Sequence, residues 1–100
     1  KAGVAALWTN RLPEAQMPIS IRAMPKYRGY GYGLGGRVMV EPQMSPFYAV
    51  KGECGWEGAA TTYFWLDPQN DITGVVMSQY LGQKFPLCDD IRHAFYQSLE

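Results

Sequence analysis

The stretch AATTYFWLDPQNDITGVVMSQ, residues 59–79, does most to restrict the folds open to this chain. It holds two β-type runs joined by Asp67-Pro68-Gln69-Asn70-Asp71, a loop of strong turn residues, and so predicts a β-hairpin. Strand alternation puts Ala60, Thr62, Phe64 and Leu66 on one face and Ala59, Thr61, Tyr63 and Trp65 on the other. In the second run Ile72, Gly74 and Val76 oppose Thr73, Val75 and Met77. Both faces carry large apolar groups, so the sheet is expected to be covered on both sides.

The chain supplies one good cover. PLCDDIRHAFYQSLE places Leu87, Ile91, Phe95 and Leu99 on one helical stripe, which predicts a helix over about 87–99 packed on the sheet. Pro86 suits its start, and Asp89 and Asp90 fall in the first turn, where negative charge is favoured. At the other end, AGVAALWTNRL sets Val4, Leu7 and Trp8 at helical spacing, and Leu12-Pro13 closes the segment. Such a stub is too short to be stable alone or to cover the second face. The domain therefore looks unfinished. Residues 13–29, with three of the seven prolines, read as an extended loop. Residues 41–58 read as turn and loop, with at most a short strand over 47–50. The expected fold is α+β: an antiparallel sheet, made from the hairpin at 59–79 and a strand at 31–40, packed by the helix at 87–99.

GYGYGLGGRVMV, residues 29–40, contains Gly31-x-Gly33-x-x-Gly36, the spacing of a dinucleotide-binding loop. A phosphate cradle needs a buried strand before the glycines and a helix opening at the last of them. Upstream, Pro25 and the basic Arg22, Lys26 and Arg28 interrupt any long apolar strand. Downstream, Val38 and Val40 and then Pro42 read as strand rather than helix. No acidic residue stands at the ribose-binding distance inside a βαβ pattern. A nucleotide cofactor is not expected, and the glycines are read as letting another backbone or a ligand come close to a strand start.

Nine basic and nine acidic residues cancel, which leaves no electrostatic footprint for nucleic acid or an anionic membrane. No apolar run approaches the ~20 residues of a membrane span. Cys54 and Cys88 are far apart and fit neither a CxxC redox pair nor a zinc site, so they are expected to be reduced, partly buried thiols. That favours a cytoplasmic over a periplasmic setting without fixing it. The first residue is Lys1, in no secretory-signal context, which suggests a polypeptide that began elsewhere. Catalytic residues are sparse. None of Ser20, Ser45, Ser78 and Ser98 has Lys three residues later or sits in a GxSxG elbow. His93, beside Arg92 in the predicted helix, is read as a surface side chain, and Glu53 and Glu57 as solvated loop carboxylates. No complete active site, metal site or cofactor site is expected.

NRLP at 10–13, GYGYGLGGRVMVEP at 29–42, KGECGWEGAATTYFWLDPQNDITGVVMSQ at 51–79 and RHAFYQSL at 92–99 together resemble a known family. They are similar, in order and spacing, to the C-terminal portion of the serine β-lactamase-like hydrolases. That family includes class C β-lactamases, relatives of penicillin-binding proteins and, closest in flavour, family VIII carboxylesterases. Its members join a Ser-x-x-Lys, a Tyr-x-Asn or Tyr-x-Ser, and a Lys-Thr-Gly-like triplet in one cleft, and esterase-type members often carry Trp-Gly-Gly or His-Gly-Gly as the triplet. The matching residues here are Trp56-Glu57-Gly58. Glu57 departs from both versions of the triplet, which leaves its role open.

The resemblance implies that Trp56, Glu57 and Gly58 bind substrate on a strand lining the cleft. It implies further that the Ala59 backbone N–H is one oxyanion-hole donor. Trp56 would wall an acyl or alcohol group, or else pack the end of the hairpin. The implied reaction is acyl transfer to serine and then hydrolysis of a small ester or amide. A short-chain ester is favoured over a β-lactam, because the triplet begins with Trp rather than Lys. The Ser-x-x-Lys and Tyr-x-Asn motifs are absent from these 100 residues. Tyr30 and Tyr32 lack the following Asn or Ser, so neither takes that role. The partner implied is the N-terminal remainder of a hydrolase, without which the segment is inactive. The alternative is a stand-alone, non-catalytic binding or assembly module that buries its open surfaces by self-association.

Overall fold

The computed structural model describes residues 1–17, 27–82 and 86–99. Most of the loop expected over 13–29, with Ser20 in it, lies outside the described residues. The elements are α1 (Ala2–Leu7), β1 (Tyr30–Tyr32), β2 (Arg37–Met39), β3 (Cys54–Gly58), β4 (Thr62–Asp67), β5 (Ile72–Val76) and α2 (Leu87–Ser98). The strands form one five-stranded sheet in the order β1-β2-β3-β4-β5, every pair antiparallel. The class is α+β, as the sequence indicates.

The single strand expected at 31–40 is instead a hairpin of two short strands. The Gly33 N–H donates to the Gly36 carbonyl at 2.8 Å and reverses the chain. The Leu34 and Gly35 amides both donate to the Leu7 carbonyl, at 2.9 and 3.2 Å, which seats this turn on the end of α1. A Cβ on Gly33 would run into that same carbonyl, so the glycine serves close backbone packing. Gly36 leads into β2 rather than a helix, which removes the structural basis of a phosphate cradle.

Residues 54–58 also differ from the expected loop. Two glycines and a glutamate hide β3 from propensity, yet its position in mid-sheet gives it partners on both sides. Gly55 pairs with Arg37 on β2 and with Trp65 on β4. Neighbouring strands override local preference here. No strand forms over 47–50, and β4 begins at Thr62, because residues 59–61 are the turn from β3.

The two sheet faces are covered unequally. On one, Tyr63, Trp65 and Asp67 are buried together with Val76, and α2 packs over them through Cys88, Arg92 and Tyr96. The Trp65 ring lies directly over Gly74, where a Cβ would overlap three ring carbons. Gly74→Ala is expected to cost roughly 1–3 kcal/mol by forcing the indole off its seat. A urea titration checks this, and an unchanged midpoint would show that the ring moves freely.

The helix docks only in part by the stripe its periodicity suggests: Phe95 meets the Trp65 ring edge-on at 6.1 Å. Ile91, Phe95 and Leu99 are 41%, 36% and 56% exposed, while Cys88, Arg92 and Tyr96 face the sheet. The sheet offers a carboxylate, Glu53, and a turn aspartate, Asp67, and these recruit the helix's arginine and tyrosine instead of its aliphatic residues. The other sheet face is only partly covered. Trp8 meets Phe64 edge-on at 6.2 Å, but Val4 and Leu7 stay largely outside, and Val75 and Met77 are 63% and 79% exposed.

Candidate functional site

Trp56, Glu57 and Gly58 are the last three residues of β3, and alternation splits them between the two faces. Trp56 and Gly58 stand opposite Phe64 and Thr62 on the half-open face. Glu57 stands opposite Tyr63 on the face that α2 covers. A cleft of about 320 Å³ is bounded by all three triplet residues, by residues 62–64 of β4 and by the end of β5 through Met77. Its walls are mostly apolar. Trp56 is half-buried, its ring edge-on to Tyr32 at 5.4 Å, so one side chain both packs and forms a wall of the cleft.

Ala59 is exposed at the first position of the β3–β4 turn. Two residues on, Thr61 is buried with φ of 59°, a left-handed backbone that a β-branched residue rarely adopts. A strain of ~1–3 kcal/mol persists at such a position only when its surroundings enforce it. They do so here through the segment after β5. The Thr61 hydroxyl donates to the Tyr80 carbonyl at 2.5 Å, and the Tyr80 amide donates to the Ala60 carbonyl at 3.2 Å. The Ser78 hydroxyl stands 2.8 Å from the Ala60 carbonyl and 2.9 Å from that of Thr61, and has one proton to share between them. Ser78 therefore ties down the turn.

Neither glutamate is a solvated loop carboxylate, contrary to expectation. Glu53 is 1% exposed, ion-paired with Arg92 and 3.1 Å from the Tyr30 hydroxyl. Burial pushes its carboxyl above the usual range, with Arg92 pulling the other way. Glu57 accepts from the Tyr27 hydroxyl and, at 3.3 Å, from Arg37. Burial and the adjoining carboxylate both raise the Tyr27 phenol, which stays protonated. The Arg37 guanidinium lies 4.9, 5.0 and 5.5 Å from the rings of Tyr63, Tyr30 and Tyr27. Sequence reading missed this cluster. The available signal was alternation, which sets Arg37 and Met39 on one face and Val38 on the other.

His93 is exposed, as expected of a surface side chain. Cys54 and Cys88 are both buried and are not joined in a disulfide, and burial pushes Cys54 up to about 11, which leaves it protonated and unreactive near neutral pH. Among the described residues, no group of three or more His, Cys, Asp or Glu is placed to hold a metal ion. None of their helices is long and apolar enough to cross a membrane.

No protein-family model matches the sequence, and no curated protein matches it. The fold is found in a hydrolase. EstCE1, "a hydrolase with promiscuous acyltransferase activity", shares it with a TM-score of 0.77 and 23% sequence identity over 95% of this chain. The match takes in 24% of EstCE1, so the chain spans about a quarter of that protein's length.

Proposed function

We propose that this chain is the C-terminal sheet segment of a serine hydrolase of the β-lactamase-like group, of esterase type. The observation that carries the reading is a junction: the Trp56-Glu57-Gly58 strand ends beside an apolar cleft, in a fold shared with part of a hydrolase. On this reading the Ala59 amide is one donor of the oxyanion hole, and the clamp on residues 60 and 61 fixes it before substrate arrives. A tetrahedral oxyanion needs such a donor ~2.7–3.1 Å away, already in place when charge develops. Trp56 walls the acyl or alcohol group of a small ester. The attacking serine and its basic partner come from polypeptide beyond these residues, and the chain alone is inactive.

The test has two arms. The 100-residue chain is mixed with a p-nitrophenyl ester and with a fluorophosphonate probe read by intact mass, and neither turnover nor labelling is expected. Turnover that disappears when one of the chain's own serines is replaced would overturn the reading. In the full-length hydrolase, Ala59→Pro removes the amide and is expected to lower kcat by about a hundredfold. A kcat within twofold of wild type would exclude this donor.

A second reading rests on the apolar side chains left outside. Ile91 and Leu99 on α2, and Val75 and Met77 at the open sheet face, suit a module that associates with its own kind. Light scattering separates the two: a well-folded monomer at micromolar concentration argues against self-association.

A further inference from the structure

The departure of the triplet at its middle position has a physical explanation. We infer that Glu57 is a positioning residue, the anchor that fixes the triplet strand at the edge of the cleft through its bonds to Arg37 and Tyr27; this rests on the hydrolase reading above. Alternation directs Trp56 and Gly58 to the half-open face and Glu57 to the face that α2 covers; residue 57 still borders the cleft, but its carboxylate is taken by Arg37 of the adjoining strand β2 and by the Tyr27 hydroxyl. The Arg37 side chain is 5% exposed and that of Glu57 18%, so this ion pair is shielded from solvent. Three tyrosine rings around the guanidinium restrict where it can sit. A carboxylate held between a caged cation and a buried phenol has little freedom, and the backbone that carries it has little more.

Ala59 comes two residues after Glu57, so any shift of residue 57 moves the amide proposed to meet the oxyanion. A neutral glycine or threonine at this position would leave Arg37 without that carboxylate. The glutamate is thus matched to Arg37 and Tyr27, not to the substrate.

The experiment uses the full-length hydrolase and p-nitrophenyl acetate. Glu57→Gln keeps the shape but strips the charge, and kcat is expected to fall roughly tenfold to a hundredfold with KM within twofold, as misplacing a reacting group does. The pH profile of kcat keeps both limbs, because Glu57 transfers no proton. Arg37→Met is expected to fall by a similar factor, and the double variant no further than either single one, since both remove the same brace. If the orphaned Arg37 prevents Glu57→Gln from folding, the double variant buries no unpaired charge and its kcat decides. An unchanged kcat overturns the inference, and so does a rise in KM alone, which marks a substrate contact. Loss of one pH limb overturns it as well, by marking a proton carrier. A wild-type protein that neither hydrolyses the ester nor takes up a fluorophosphonate overturns the hydrolase reading itself, and this inference with it.

Discussion

Replacing Arg92 with methionine is expected to destabilise the fold by about 3–5 kcal/mol, because it leaves the Glu53 carboxylate buried without its cation. Glu53 is 1% exposed and Arg92 5%, so water reaches neither well. The arginine also donates to the Tyr48 carbonyl at 2.5 Å and lies 4.8 Å from the Tyr96 ring, so one side chain joins α2 to the sheet and to the loop before β3. Against a total stability of ~5–15 kcal/mol for a small domain, such a loss unfolds a sizeable fraction of the molecules. Urea unfolding at pH 7 measures it. Pairing Arg92→Met with Glu53→Gln is expected to recover much of the deficit, since the cost lies in the abandoned charge more than in the lost attraction. A single-variant loss below about 1 kcal/mol would show that the carboxyl is already neutral in the folded protein.

Asp67→Ala is expected to cost about 3–4 kcal/mol, from several donors losing one acceptor at once. Asp67 accepts from the Gln69 and Asn70 amides at 3.0 Å each, from the Asn70 side chain at 2.7 Å and from the Tyr96 hydroxyl at 2.7 Å. Tyr96 in turn accepts from the Trp65 indole at 3.1 Å. The hairpin turn, the buried tryptophan and the helix therefore share one carboxylate. Burial raises its pKa, but the hydrogen bonds from Asn70 and Tyr96, with those of the two amides, outweigh that and hold it below the usual carboxylate range. The sign comes from linkage. A folded-state pKa below the unfolded value of about 3.9 gives stability that is complete near neutrality and lost as pH falls through and below about 4. The gap between wild type and Asp67→Asn should shrink over that range, as read by urea titrations at pH 7, 4 and 2.5. A gap of constant size would rule out the charge as its source.

Both residues show what local sequence reveals and what it conceals. Asp67-Pro68-Gln69-Asn70-Asp71 states its turn chemistry within five residues, and the structure places that turn between β4 and β5. The alternation of Tyr63 and Trp65 with Thr62 and Phe64 likewise survives as buried against half-open. Strand β3 stayed hidden because CGWEG has weak strand preference of its own and takes its form from two neighbours. The inward face of α2 stayed hidden for a related reason. Hydrophobic periodicity ranks Leu87, Ile91, Phe95 and Leu99 as the core stripe, but the partners that choose Arg92 and Tyr96 lie 39 and 29 residues away. The triplet itself was visible in sequence. Its division between two sheet faces, and with it the position of Glu57, required the register.

The meander has a kinetic consequence. Strands adjacent in space are adjacent along the chain, so three of the four pairings close short loops and the β2–β3 pairing closes the longer one at residues 40–53, with an entropic cost that grows only slowly with length. Local zippering of this kind makes for rapid assembly, with β4 and β5 the natural place to begin. Docking of α2 is different: its tie to Glu53 spans 39 residues and must await a formed sheet. Helix α2 is thus expected to settle after the sheet, and its backbone amides should exchange with deuterium sooner than those of β4.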